Sequence, residues 1–98
     1  MSVIVLSRYS GGNREDFTRV GKEAKRIFES CGASWRMGQP HVGSDHMGQW
    51  VTVVEYADWG SYGKVTQALL ENPEYHKIAE EILTFAELKG QDIINLIA

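Results

Sequence analysis

The chain has 98 residues, 43% hydrophobic and 23% charged, a balance typical of a globular protein and unlike that of a disordered one. Its formal net charge of −3, with no run of like charges, argues against a nucleic-acid partner and against a polybasic membrane arm. The single cysteine, Cys31, has no intrachain disulfide partner and fits a reducing, cytoplasmic setting.

The opening "MSVIVLSRY" lacks the charged start and long apolar core of a signal peptide or membrane span. Residues 3–9 instead read as a strand, and "SGGN" as the turn after it. Asn13 is placed to cap a helix, with Glu15 and Asp16 in its first turn, where the helix dipole favours negative charge. Phe17, Val20, Gly21, Ala24, Ile27, Phe28 and Cys31 then recur at steps of three and four, which gives one apolar stripe. Arg19, Lys22, Glu23, Lys25, Arg26 and Glu29 fall off it and are expected to face water. Gly32 ends the helix, and Cys31 reads as a small apolar residue near that end rather than a nucleophile.

Residues 34–42 predict a second, weaker strand, since Gly38 and Pro40 lie inside it and proline cannot donate to a ladder. "GSDHMG" is the connecting turn, and "QWVTVVEY" over 49–56 is the strongest strand in the chain; the two strands are expected to form a hairpin. Asp58 is placed to cap a second helix, with Tyr62, Val65, Leu69 and Leu70 on its apolar face. Pro73 interrupts that helix, yet Asn72-Pro73-Glu74 is also a good start for a new one, so one bent helix or two short ones meeting at Asn72 are expected. Gly90 reads as a stop, and residues 91–97 as the last strand.

This order, β-α-β-β-α-β, is the ferredoxin-like arrangement: an α+β fold with two helices on one face of a four-stranded antiparallel sheet, one domain over residues 1–98. A sheet covered on one side should alternate apolar and polar residues. These strands do not alternate. Val3 and Val5 oppose Ile4 and Leu6, Val51 and Val53 oppose Trp50, Val54 and Tyr56, and Ile93 and Ile97 oppose Ile94 and Leu96. Both faces look apolar while the helices suffice for one, which predicts a second copy packed sheet to sheet in a twofold homodimer.

The segment "VVEYADWGSYGKVTQALLENPEYHKIAEEI" joins a strand end to a small acidic turn, an aromatic helix and an Asn-Pro-Glu-Tyr step. In this it resembles the dimeric α/β-barrel superfamily, which includes the antibiotic-biosynthesis monooxygenases, NIPSNAP-like and EthD-like proteins; the resemblance spans essentially the whole chain. It implies a small dimeric protein whose pocket lies between helices and sheet. It is specific for fold and spans several chemistries, among them cofactor-independent oxygenation, isomerisation and haem degradation. The haem-degrading branch implies an Asn on the first strand, a Trp at the start of the second helix and a His late in it. Here Ser7 and Arg8 occupy the strand, Trp59 suits the Trp, and His76 comes about one turn early, so neither haem nor another cofactor is expected.

In such a pocket one polar group gives or takes a proton. His41 is the best-placed base, because its ordinary pKa lies near neutrality, and Arg8 would stabilise an enolate or carboxylate, unless it forms a surface ion pair. Trp50, Tyr56, Trp59 and Tyr62 are the candidates for contact with an apolar or aromatic small molecule, with Trp35 a further wall; the tryptophans equally suit packing. Tyr9, Tyr75 and Glu55 are lesser sources of a hydroxyl or carboxylate. His41, Asp45 and His46 straddle a Gly-Ser turn, and without a further ligand they read as solvated turn residues rather than a metal site. His76 reads as a residue beside the apolar stripe or in solvent, and no phosphate loop or nucleophile elbow is present. The functional expectation is a cofactor-independent monooxygenase or isomerase, with a non-catalytic ligand-binding or assembly module as the alternative.

Overall fold

The computed structural model describes residues 2–40 and 48–97. Strand β1 (Ser2–Gly11) leads to helix α1 (Arg14–Ser30), and β2 (Ser34–Gly38) precedes β3 (Trp50–Tyr56). Helices α2 (Trp59–Leu70) and α3 (Pro73–Phe85) follow, and β4 (Ala86–Leu96) closes the sheet. The strands lie in the order β2-β3-β1-β4, with every neighbouring pair antiparallel. The fold is the expected ferredoxin-like α+β arrangement, with its second helix divided in two.

Local chemistry accounts for the helix boundaries. Asn13 adopts an extended conformation and its side chain accepts from the Asp16 N–H at 2.8 Å, so α1 starts where the cap predicts. Phe17, Val20, Gly21, Ala24 and Ile27 of the stripe are buried. Gly32 leaves the helix at a φ of 99°, a region that glycine enters at little cost. Asp58 caps α2 through the Ser61 N–H at 2.7 Å. The proline step makes two helices: Asn72 Oδ1 accepts from the N–H groups of Glu74 at 2.9 Å and Tyr75 at 3.3 Å, and Pro73 supplies a first-turn residue that has no N–H to leave unpaired.

Two strand boundaries differ from the sequence reading. Strand β2 ends at Gly38, two residues before Pro40, and what was expected of positions 41 and 42 lies outside the described residues. Strand β4 begins at Ala86, so Gly90 is interior to it rather than a stop. Pairing with the far end of β1, Ser10 with Glu87 and Gly11 with Ala86, extends the strand backwards to the helix end. A bulge between Arg8 and Tyr9 leaves Lys89 without a partner. Gly90 faces Arg8 across the ladder, and a Cβ there would run into the Arg8 guanidinium. The missing side chain gives Arg8 its route across β4 to Asp92.

Strand parity assigns the two faces. Val3, Val5 and Ser7 of β1 and Trp50, Thr52, Val54 and Tyr56 of β3 are buried, on the side that α1, α2 and α3 cover. Ile4, Leu6, Val51 and Val53 lie on the other side, where no helix packs, and are only partly buried. Ile94 shares that side and is 40% exposed. The apolar second face expected from the sequence is therefore present. Near its margins run two ion pairs, Arg8 to Asp92 at 2.8 Å and Arg36 to Glu55 at 3.6 Å. No helix among the described residues is long and apolar enough to cross a membrane.

Candidate functional site

Between the sheet and the helices lies a cavity of about 290 Å³. Its floor is the covered face of the sheet: Val5 and Ser7 from β1, Thr52 and Val54 from β3, Trp35 and Met37 from β2, Gln91 and Ile93 from β4. Val20, Gly21, Ala24 and Phe28 of α1 form one wall. Tyr62, Thr66 and Leu69 of α2, with Tyr75, Ile78 and Ala79 of α3, form the other. Gly21 brings α1 close to the floor, because a Cβ there would lie 3.1 Å from Met37 Cε and 3.2 Å from Trp35 Cη2. The cavity opens along β4. Ile93 faces it yet is 51% exposed, and α3 has no fully buried residue to close that side.

Aromatic rings dominate the walls. Tyr56 and Tyr62 meet edge to face with centroids 5.1 Å apart, and Tyr75 meets Phe28 in the same way at 5.9 Å. Burial pushes the Tyr56 hydroxyl up to about 12, with the neighbouring Tyr62 and Tyr75 hydroxyls adding to the rise. Tyr9 is raised too, by burial first and by Tyr75 second. Both hydroxyls stay protonated through the physiological range and serve as neutral donors rather than bases. No Asp, Glu, Lys, Arg or His among the described residues lines the cavity. A charged ligand would lose its hydration there without gaining a counter-ion from the described residues.

Strand parity and helix spacing sort the residues singled out from the sequence. Tyr56 and Tyr62 line the cavity, as does Trp35. Trp50 is on the covered face but stacks on Phe17, centroids 4.6 Å apart, in the packed end of the core and outside the cavity lining. Trp59 is 47% exposed and touches Tyr62 ring to ring at 5.8 Å, again outside the lining. Arg8 lies on the opposite face of the sheet from the cavity and is ion-paired with Asp92 at 2.8 Å. Glu55 shares that face, paired with Arg36. His76 Nε2 sits 2.7 Å from the Leu70 carbonyl, where it satisfies the end of α2. His41, with Asp45 and His46, lies outside the described residues. Among the described residues no group of three His, Cys, Asp or Glu side chains could hold a metal ion.

The sequence reading passed over Ser7, Thr52 and Gln91. Ser7 is 4% exposed and Thr52 6%, the buried polar side chains of a core that is otherwise apolar. Gln91 Nε2 donates to Ser7 Oγ at 2.9 Å. Their signal in the sequence is polar residues at core-facing positions of three strands, and it appears only once register is known.

The fold defines a class. A four-stranded antiparallel sheet in this order, with helices over one face and a cavity between, is the ferredoxin-like architecture, and the chain has that fold. Among solved structures it is similar to SnoaB, a cofactor-independent oxygenase from Streptomyces nogalater, with a TM-score of 0.75 and 12% identity over 99% of this chain and 94% of that one. It is equally similar to an uncharacterised NIPSNAP-like domain protein from Burkholderia xenovorans, with a TM-score of 0.75 and 14% identity over 99% and 86% of the two chains. A NIPSNAP family protein from Agrobacterium tumefaciens gives a TM-score of 0.70 and 13% identity, covering 99% and 92%. Neither a family model nor a curated protein sequence matches the chain. At such low identity the likeness is one of fold.

Proposed function

We propose that the protein binds a small apolar or aromatic molecule in the cavity between sheet and helices, and acts on it without a cofactor, as a monooxygenase or isomerase. The observation that carries the binding is the cavity itself: about 290 Å³, lined by Tyr56, Tyr62, Trp35 and Tyr75, and open along β4. Sites of this kind, apolar with a few placed polar groups, are the usual setting of small-molecule recognition. The oxygenase reading draws support from the shared fold of SnoaB. In such a reaction dioxygen is the sole oxidant: one atom becomes a carbonyl oxygen of the substrate, and the other leaves as water with two substrate hydrogens. The cavity would supply position, exclusion of water and neutral tyrosine hydroxyls as donors.

One observation favours the second reading, a ligand-binding module without catalysis. No histidine, cysteine or charged side chain lines the cavity among the described residues. An oxygenase would then need a substrate acidic enough to give its proton to water, or the base expected from the sequence, His41, as the acceptor. A single experiment separates these. Titration with an electron-rich hydroxynaphthalene under air should quench tryptophan fluorescence and consume oxygen if the protein is an oxygenase, and quench without oxygen uptake if it is an isomerase or a binder. Ala79→Trp, which fills the cavity from α3, should abolish both signals; saturable quenching that survives this substitution would contradict the cavity as the site.

The apolar sheet face supports a second proposal, a homodimer through that face. Ile4, Leu6, Val51 and Val53 stand there without a helix over them, and edge strand β4 exposes Ile93 on one face and Ile94 on the other. The unpaired Cys31 and the unremarkable charge are consistent with a cytoplasmic protein.

A further inference from the structure

Four cavity residues lie in one row across the sheet: Met37 pairs with Thr52, Thr52 with Ser7, and Ser7 with Gln91. The adjacent row is Trp35, Val54, Val5 and Ile93, wholly apolar. Ser7 and Thr52 are thus two hydroxyls set side by side in the middle of a hydrophobic floor, both nearly inaccessible. Valine at either position would suit the strand and the core better, because a buried hydroxyl loses its hydration and regains little from one protein hydrogen bond. Gln91, at the open edge of the row, donates to Ser7 Oγ at 2.9 Å. Having accepted that bond, the serine keeps its own proton free to donate, and the Gln91 carbonyl oxygen remains an acceptor.

We propose that Thr52, Ser7 and Gln91 form an uncharged hydrogen-bonding row that anchors one neutral oxygen, a phenol or ketone, of an aromatic ligand lying among Trp35, Tyr56 and Tyr62. The proposal rests on the cavity being the ligand site and adds the chemical class of the ligand and the residues that select it. The row offers donors and acceptors without formal charge, and the described lining holds no cation, so a carboxylate or phosphate is disfavoured. The volume equals that of about ten water molecules at their liquid share of ~30 Å³ each, which suits a ligand of two or three fused rings. Recognition of this kind discriminates against the analogue lacking the oxygen, since the buried Ser7 and Thr52 hydroxyls then gain no partner from the ligand.

The test is equilibrium binding, with oxygen excluded, of naphthalene, 1-naphthol and 1-naphthoate to the intact chain and to Ser7→Ala and Thr52→Val, with melting temperatures measured alongside. The intact protein should prefer 1-naphthol to naphthalene by about tenfold and bind 1-naphthoate most weakly. Ser7→Ala should bring that preference close to one while leaving naphthalene affinity unchanged or improved. Both variants should melt at or above the temperature of the intact protein, as expected when a buried hydroxyl serves the ligand rather than the fold. An intact protein that binds naphthalene as well as 1-naphthol overturns the anchor and needs no variant to do so. Variants that keep the preference and merely melt lower assign the row to stability and overturn it as well. Failure of the intact protein to bind any of the three overturns the cavity reading along with it, whereas naphthalene binding without preference leaves the cavity reading standing.

Discussion

Tyr56 carries the clearest protonation signal in the chain. Its folded hydroxyl titrates at about 12, whereas an unfolded tyrosine titrates near 10. Below pH 10 both states hold the proton, so the shift leaves stability unchanged. Between 10 and 12 only the unfolded chain releases it, so stability falls as pH rises, by at most about 1.4 kcal/mol per pH unit and by less where solvent reaches the cavity mouth. The urea midpoint should therefore drop from pH 9 to pH 11, and Tyr56→Phe should reduce the drop. A residual slope is expected from Tyr9, shifted in the same direction. Backbone constraints make a second contrast. Gly12, at a φ of 70°, would place a Cβ 2.7 Å from Phe17 Cε2 and 2.8 Å from Phe85 Cδ1. Gly32, at 99°, has open space around it. Gly12→Ala combines left-handed strain with overpacking against two rings and should cost about 3 kcal/mol; Gly32→Ala carries the strain alone, about 1 kcal/mol. Denaturant midpoints of the two variants check the difference.

The helix starts were legible because capping is local chemistry, and the Asn72 step shows how much one cap contributes. Asn72→Ala removes the acceptor for two N–H groups at the start of α3 and should cost about 1 kcal/mol, read from the shift in thermal midpoint. Strand limits were less legible, since they depend on partners distant in sequence. Nothing in "AELKGQDIINL" announces that pairing with β1 extends the strand back to Ala86, and Gly90 reads as a stop until Arg8 is seen to cross over it. The site follows the same division. Tyr56 and Tyr62 were singled out as aromatic residues around the strand exit, and both line the cavity. Arg8 could be separated from Ser7 by parity, but which parity met the helices was decided by the packing of three distant elements. The row of Thr52, Ser7 and Gln91 needs the register of three strands at once, and register is a long-range property.

The whole molecule presents two apolar sheet faces and covers one. The open face holds Ile4, Leu6, Val51, Val53 and Ile94 inside a margin of ion pairs, the composition of an interface core within a polar rim. As a homodimer the chain should give twice its 11.0 kDa mass in light scattering, and Leu6→Glu together with Val53→Glu should return it to a single chain with the fold intact. A single-chain mass for the unaltered protein would contradict the dimer and leave the cavity untouched, because the two lie on opposite sides of the sheet.

That separation of faces also gives the most direct measurement of the central claim, that the ligand enters between sheet and helices. Methyl resonances can be followed by NMR as 1-naphthol is added to the intact protein. Val5, Val54, Ile78 and Ile93 line the cavity and should shift together along one saturable curve, while Ile4, Leu6 and Val53 across the sheet should stay in place. Shifts confined to Ile4, Leu6 and Val53, or none at all, would contradict the account.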